Sequence, residues 1–333
     1  MMRIGIIAPY FGKLPKWFQL FLDSCRDNPK FDWIILSDDT EPFDYPENVH
    51  FFKMSFAECQ KVVQAPFDFK VEIPRPHKLC DYRAAYGLIF EEYLKEYDWW
   101  GHCDLDIIWG KLENFITEEM LLRYDKIYSG GHLALYRNMA ENNRVFMSEV
   151  DGKRRYREVF STGSGCVFDE WGSGSINEIY LAEGRPIRLE NDCADLDAYS
   201  TAFVRMYFDT KTMKYRRDNI ENSIFKWEEG RIYQIYQIGQ KVSRKEFAYI
   251  HLFKKQMVDE RQNKNGPFYM VPNRFVDGAL NEEMLLKQCR KWELLNVEYF
   301  KVKWKSFKYR WESGNWSNIS VIAKLKEKLS RKT

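Results

Sequence analysis

No run of apolar residues in this 333-residue chain approaches the roughly 20 needed to cross a bilayer, so no membrane-spanning helix is expected. No Cys-x-x-Cys pair occurs either. The seven cysteines (25, 59, 80, 103, 166, 193 and 289) are odd in number and scattered, which argues against both a disulfide framework and a zinc site. They read as reduced core residues. A signal-peptide core is missing, since Met1-Met2-Arg3 leads straight into Ile4-Gly5-Ile6-Ile7-Ala8, and the expected location is cytoplasmic. Internal repeats and low-complexity stretches are missing as well, which excludes a repeat architecture. A strong net charge is also absent, the total being +2, but the distribution is uneven. Residues 301–333 hold ten Lys or Arg against two Glu, whereas the other 300 residues hold 41 basic against 47 acidic. An acidic body would repel a phosphate backbone, which argues against nucleic acid as a partner, while the basic tail suggests an anionic surface.

What is present is a folded composition, 45% apolar and 17% aromatic, and one unusual segment. In Trp99-Trp100-Gly101-His102-Cys103-Asp104-Leu105-Asp106-Ile107-Ile108-Trp109 an apolar run ends in two acids one residue apart. Such a run reads as a buried strand, so Asp104 and Asp106 would sit where the backbone leaves the core. Carboxylates there suit a divalent cation, Mn2+ or Mg2+, carrying a diphosphate, because hard oxygen ligands fit these metals and the metal offsets phosphate charge.

The organisation around this segment is α/β. Residues 3–8 read as a strand, 16–26 as an amphipathic helix and 32–37 as a second strand, a βαβ unit that implies a parallel sheet with a ligand crevice at its carboxyl ends. Pro9-Tyr10-Phe11-Gly12 and Asp38-Asp39-Thr40 fall at those ends. A third strand is expected at 50–54, then a helix opened by the capping-box pattern Ser55-Phe56-Ala57-Glu58. Apolar spacings of three and four over 78–97 predict one long helix leading into the Trp99 strand. Further on, 126–129 and 133–136 read as strands and 138–150 as a helix. The segments 161–165 and 172–175 read as flexible loops beside the cleft, either of which would be free to touch an acceptor. The turn-rich Asn263-Lys264-Asn265-Gly266-Pro267 marks a boundary, giving a catalytic domain over 1–260 and a helical, basic extension over 261–333.

A second element follows about 145 residues after the acid pair, at Ala248-Tyr249-Ile250-His251-Leu252-Phe253-Lys254-Lys255. His251 ends an apolar run as Asp104 does, and an imidazole there would complete a metal site begun by carboxylates. The set of βαβ start, Asp-x-Asp at a strand end, and late His followed by Lys resembles the GT-A (Rossmann-like) glycosyltransferases. Residues 78–87 and 101–106 are similar to bacterial enzymes of capsule and O-antigen assembly, a poorly characterised family, and the likeness covers roughly residues 3–256.

The resemblance implies Asp104, Asp106 and His251 as metal ligands, one of the acids also touching the donor ribose. It implies Pro9, Tyr10, Asp38 and Asp39 near the nucleotide base, Lys78, Asp81 and Arg83 near donor phosphate and sugar, and Lys254 or Lys255 on the diphosphate. The late segment lacks the glycine and the Pro-Trp of the motif His-x-x-Gly-x-x-Lys-Pro-Trp, so which lysine acts stays open. The donor so implied is a nucleoside diphosphate sugar, preferably a UDP-hexose such as UDP-galactose, and the acceptor a saccharide or lipid-linked oligosaccharide.

An inverting transfer also needs a carboxylate base, for which Asp169 or Glu170 is the first choice; a retaining one does not. His132 and Trp171 are candidates to line the acceptor site, since aromatic faces stack on sugar rings. In the tail, Ile322, Leu325 and Leu329 fall on one helical face and Lys324, Lys328 and Arg331 on another, the pattern of an interfacial helix at a membrane surface. Competing readings are a phosphatase, whose Asp-x-Asp belongs on the first strand, a sugar nucleotidyltransferase, whose opening loop Pro9-Tyr10-Phe11-Gly12-Lys13 matches poorly, and a carbohydrate-binding protein without turnover.

Overall fold

The computed structural model describes residues 2–292 apart from 198, 199, 201, 221, 222, 254 and 256, together with Trp304. A seven-stranded sheet forms its first layer, from β1 (Ile4–Tyr10), β2 (Phe31–Ser37), β3 (Val49–Lys53), β4 (Trp99–Cys103), β6 (Lys126–Ile127), β7 (Leu133–Arg137) and β8 (Ile187–Arg188). Their order is β3-β2-β1-β4-β7-β6-β8, and β3, β2, β1 and β4 run parallel. Both faces are buried. Ile7 of β1 packs into one cluster with Cys59 and Val63 of α2 (Phe56–Gln64), while Ile4, Ile6 and Ala8 pack into another with Phe18, Phe21, Leu22 and Cys25 of α1 (Phe18–Arg26). A parallel sheet covered on both sides needs such unbroken apolar runs. The capping box at Ser55 and Glu58 opens α2 as the sequence predicts.

Beyond β1 the chain winds through α1 to β2 and then β3, and returns to the other flank of β1 as β4. This reversal is a topological switch point, and ligands of open α/β sheets bind in the crevice outside the strand ends there. Tyr10 and Asp104 lie at that crevice.

The expected long helix over 78–97 is instead broken. A 3-10 helix spans Pro76–Ala85, followed by single turns at Tyr86–Ile89 and Glu91–Leu94. Residues three apart eclipse in a 3-10 helix, and here Lys78 and Asp81 pair at 2.8 Å. Gly87 also lies under the Trp100 indole so closely that a Cβ would be 2.4 Å from Nε1. The expected helix over 138–150 shrinks to a 3-10 turn at Asn142–Met147, because Asn138 and Asn142 spend their side-chain amides on the backbone carbonyls of Leu94, Tyr97, Asp125 and Arg137.

A second sheet carries β5 (Ile107–Trp109), β9 (Cys193–Leu196), β10 (Arg205–Asp209), β11 (Lys214–Arg217) and β15 (Tyr249–His251), in the order β11-β10-β9-β15-β5. Asp104-Leu105-Asp106 is therefore the step at which the chain passes from the first sheet to the second. A third sheet holds β12 (Ser223–Glu228), β13 (Arg231–Ile238), β14 (Lys241–Phe247), β16 (Val258–Asp259), β17 (Phe268–Val271) and β18 (Arg274–Asp277). It packs on the second through Ile108, Leu196, Phe225 and Ile250, and the helix Glu282–Trp292 covers it with Leu285, Leu286 and Cys289. The turn-rich 263–267 segment joins β16 to β17 inside this sheet. Cys25, Cys59, Cys80, Cys103, Cys166 and Cys193 are free thiols. Among the described residues no helix is long and apolar enough to cross a membrane. The amphipathic helix expected at 322–329 lies outside the described residues.

Candidate functional site

Three elements bring the acids and the imidazole together. At the step between sheets, the buried Leu105 anchors the turn while Asp104 and Asp106 on either side face the cleft, their side chains 30% and 28% exposed. Backbone bonds fix both: Asp104 N donates to His132 O, and Asp106 O accepts from Leu252 N. On β15, His251 pairs with Ile107 of β5 on one side and with Asp195 of β9 on the other. Its Nε2 stands 3.2 Å from Asp106 Oδ1 and 3.6 Å from Asp104 Oδ2, and its Nδ1 2.7 Å from Asp195 Oδ1.

The ligand atoms of Asp104, Asp106 and His251 all lie within 4.8 Å of one another. Two hard carboxylate oxygens and one imidazole nitrogen suit Mn2+ or Mg2+, so the residues present fit such an ion. Burial disfavours a charged His251, but Asp106 and Asp195 outweigh it and hold the imidazole pKa well above its usual value. Asp195, in spite of its burial, is held below the usual carboxylate range by its bond from His251 and by His132.

Arg83 links this centre to a second pair of acids. One guanidinium nitrogen bonds Asp104 Oδ1, and the other bonds Asp169 Oδ2 at 3.0 Å and Gly131 O at 2.8 Å. Gly131 has no side chain for a physical reason: a Cβ there would be 2.5 Å from Glu170 Oε1 and 2.7 Å from Asp169 Oδ2. Burial pushes the Asp169 carboxyl up to about 7 despite Arg83, with Glu170 adding repulsion, and burial raises Glu170 as well. Asp169 is 3% exposed, whereas Glu170 is only half-buried and meets Tyr215 OH at 3.4 Å.

Other expected residues are placed differently. Lys78 is buried and donates to Asp81, Val159 O and Ser164 O, so its three protons are all engaged within the fold. Asp81 in turn accepts from the backbone N–H groups of Cys166 and Phe168. Together they fasten the 159–168 segment that presents Asp169, and they do not face the cleft. Asp39 is likewise spent on Lys13 Nζ and Leu14 N, and Asp38 on Gly12 N, so this pair shapes the loop after β1. Pro9 and Tyr10 end β1, and burial first, then Asp106 and Asp39, raises the Tyr10 phenol.

Lys255 bonds the carbonyls of Asp197 and Ser200. Lys254 lies outside the described residues. His132 is buried, meets Tyr249 OH at 2.9 Å through Nδ1, and lies tilted against the His251 ring at 4.7 Å between centroids. Trp171 stacks on Phe208 at 4.1 Å, and Phe208 joins Tyr207, Tyr215, His132 and Asp195 around a cavity of about 160 Å³ beside the candidate metal ligand His251.

Asp195 is the residue that sequence reasoning missed, and a signal was available. Asp195-Leu196-Asp197 repeats Asp104-Leu105-Asp106, with a cysteine close before each, Cys193 and Cys103.

A family model described as a family of unknown function, DUF6625, matches residues 6–279. The chain belongs to that family. The match spans all three sheets and every described candidate residue. No curated protein matches the chain. Among solved structures, mouse xyloside xylosyltransferase 1 in its apo form is similar at 7% identity and a TM-score of 0.37, over 59% of this chain and 88% of that one. A glycosyltransferase involved in glycosylation of the major capsid of PBCV-1 is similar at 9% identity and a TM-score of 0.31, over 60% of this chain and 83% of that one.

Proposed function

We propose that this member of DUF6625 is a metal-dependent glycosyltransferase of GT-A type, moving a hexose from a nucleoside diphosphate sugar to a saccharide or lipid-linked acceptor. The observation that carries the reading is the convergence of Asp104, Asp106 and His251 at the topological switch point of a parallel sheet, where nucleotides bind in such folds. A divalent ion held there would offset the charge that develops on the departing diphosphate. Asp104, Asp106 and His251 would hold such an ion between the cleft and β15. Arg83 holds Asp104 in place and keeps a positive charge beside the cleft. Tyr10 and the loop fastened by Asp38 and Asp39 form the wall nearest the nucleoside.

On the acceptor side, Glu170 is better placed than Asp169 to take a hydroxyl proton in an inverting transfer, because Asp169 is buried and one of its oxygens is engaged by Arg83. The aromatic cavity beside His132 and Asp195 offers the flat faces and carboxylates that suit a sugar ring. The preferred donor is a UDP-hexose and the setting bacterial surface polysaccharide synthesis, with the basic tail at an anionic leaflet. Each basic residue near such a surface contributes about 1 kcal/mol. Removing residues 312–333 is expected to weaken binding to anionic vesicles while sparing donor hydrolysis, and unchanged vesicle binding at low salt would contradict the membrane role.

The direct test is a panel of UDP-, GDP- and dTDP-sugars, each assayed for Mn2+-dependent thermal stabilisation and release of the nucleoside diphosphate. Stabilisation and release by one nucleotide class supports the reading. Binding without release would favour a carbohydrate-binding protein on the same fold, and pyrophosphate-dependent synthesis of the sugar nucleotide would favour a nucleotidyltransferase.

A further inference from the structure

We propose that Asp195 is a positioning residue: by accepting the Nδ1–H of His251 it turns Nε2 toward Asp104 and Asp106 and so sets the affinity of this centre for a divalent cation. The inference rests on the metal-centre reading above and deepens it.

Its basis is a chain of contacts that runs from His251 through Asp195 and His132, both on the wall of the aromatic cavity. β9 and β15 are parallel and in register, with His251 directly opposite Asp195, so both backbones are fixed by the ladder. The Oδ1 to Nδ1 distance of 2.7 Å is that of a charge-assisted hydrogen bond. An ionised carboxylate has no proton to give, so Nδ1 carries the hydrogen and Nε2 is the nitrogen left to bind a metal. Asp195 is itself oriented. Its Oδ2 stands 3.9 Å from His132 Nε2, and the opposite nitrogen of His132 meets Tyr249 OH. Tyr249 and His251 alternate on β15 and share one face, so a single strand supplies both ends of the chain Tyr249, His132, Asp195, His251.

The His251 ring is also clamped, with His132 at 4.7 Å and Phe253 at 5.2 Å between ring centroids. A flipped imidazole would present carbon to Asp195 and forfeit the bond. A carboxylate behind a metal-binding histidine in this manner fixes the ring and raises its basicity, and losing it typically costs about 10–100-fold in metal affinity.

The test uses the full chain with 15N-labelled histidine, in which the His251 Nδ1–H is followed by proton NMR without metal and with saturating Mg2+. Mn2+ alone is then titrated by electron paramagnetic resonance. The wild-type protein is expected to keep a slowly exchanging, low-field Nδ1–H signal in both states. Asp195→Ala should lose that signal and weaken Mn2+ binding about 10–100-fold, with an unchanged circular dichroism spectrum. Asp195→Asn, which keeps an acceptor oxygen, should recover part of both.

A wild-type protein without the Nδ1–H signal would overturn the proposal, as would Asp195→Ala binding Mn2+ like wild type. Equal weakening in the Ala and Asn variants with the signal retained would also overturn it, leaving only a distant charge effect. Loss of Mn2+ binding in His132→Ala but not in Asp104→Ala would place the cation among His132, Asp195 and His251 and make Asp195 a ligand, again against the proposal. Failure of the wild-type protein to bind Mn2+ at all would sink the metal-centre reading, and the His251 signal would still decide the positioning role.

Discussion

The two Asp-Leu-Asp triplets of this chain, 104–106 and 195–197, share their residues but not their surroundings. In both the leucine is buried, so the flanking acids are turned the other way. The first triplet sits between β4 and β5, where the chain leaves one sheet for the next, and both carboxylates reach the cleft. In the second, Asp195 lies within β9, paired on both sides, and its carboxylate meets His251 from behind. Asp197 falls just past the strand end, with its N–H on Val204 O and its own carbonyl on Lys255. On the proposed reading, the triplet at a strand end would supply ligands, and the same triplet inside a ladder would support one.

That contrast can be broken first at the cleft. Asp104→Ala and Asp106→Ala are each expected to reduce Mn2+-dependent release of the nucleoside diphosphate by at least about 10³-fold with the fold intact by circular dichroism. His251→Ala should fall between these variants and wild type, because water and the diphosphate can stand in for one imidazole. Turnover near wild type in either aspartate variant would erase the difference between the triplets.

The next largest effect concerns the other acids. Glu170→Gln is expected to lower transfer to the acceptor about 10²-fold while hydrolysis of the donor changes less. Burial raises both Asp169, to about 7, and Glu170, so the pair loses its base form as the pH falls, and kcat/KM should decline toward low pH with an apparent midpoint above the ordinary carboxylate range that belongs to the pair. A profile flat from about pH 5 to 8 would remove the base from this position.

Lys78→Met tests a support far from the cleft. Removing one member of a buried pair costs about 3–5 kcal/mol, so denaturant unfolding should register that loss while donor affinity in the folded protein stays close to wild type. A large loss of donor affinity at unchanged stability would return Lys78 to the donor site. The smallest effect is expected at Asp197→Asn, which should shift Mn2+ affinity by less than about 0.5 kcal/mol by titration. A larger shift would make the second triplet resemble the first.

Legibility followed the same physics. β1 and β2 were readable because parallel strands buried on both faces form apolar runs, and α2 because Ser55 and Glu58 write its cap. The 78–97 segment misled because spacings of three and four fit an α-helix and a broken 3-10 series equally well. The second and third sheets left little trace, since most of their strands are either short or interleaved with polar residues, as in Lys241–Phe247, and β11 is four exposed residues, Lys-Tyr-Arg-Arg. Asp104, Asp106 and His251 could be found from apolar runs that end in a polar residue. Lys78 and Asp81 are engaged within the fold, and a buried ion pair and a phosphate site use the same residue types, so the sequence does not separate the two. Asp195 was missed because its triplet follows only Cys193-Ala194 instead of an apolar run, and its place opposite His251 is set by register with β15.

The most direct test of the whole account is a calorimetric titration of Mn2+ into the full chain in the presence of UDP, on wild type and on Asp104→Asn. One Mn2+ bound per wild-type chain, lost in Asp104→Asn without a change in folding, is the expected result. Equal binding by both proteins, or none by wild type, would contradict a metal-dependent centre at the end of β4.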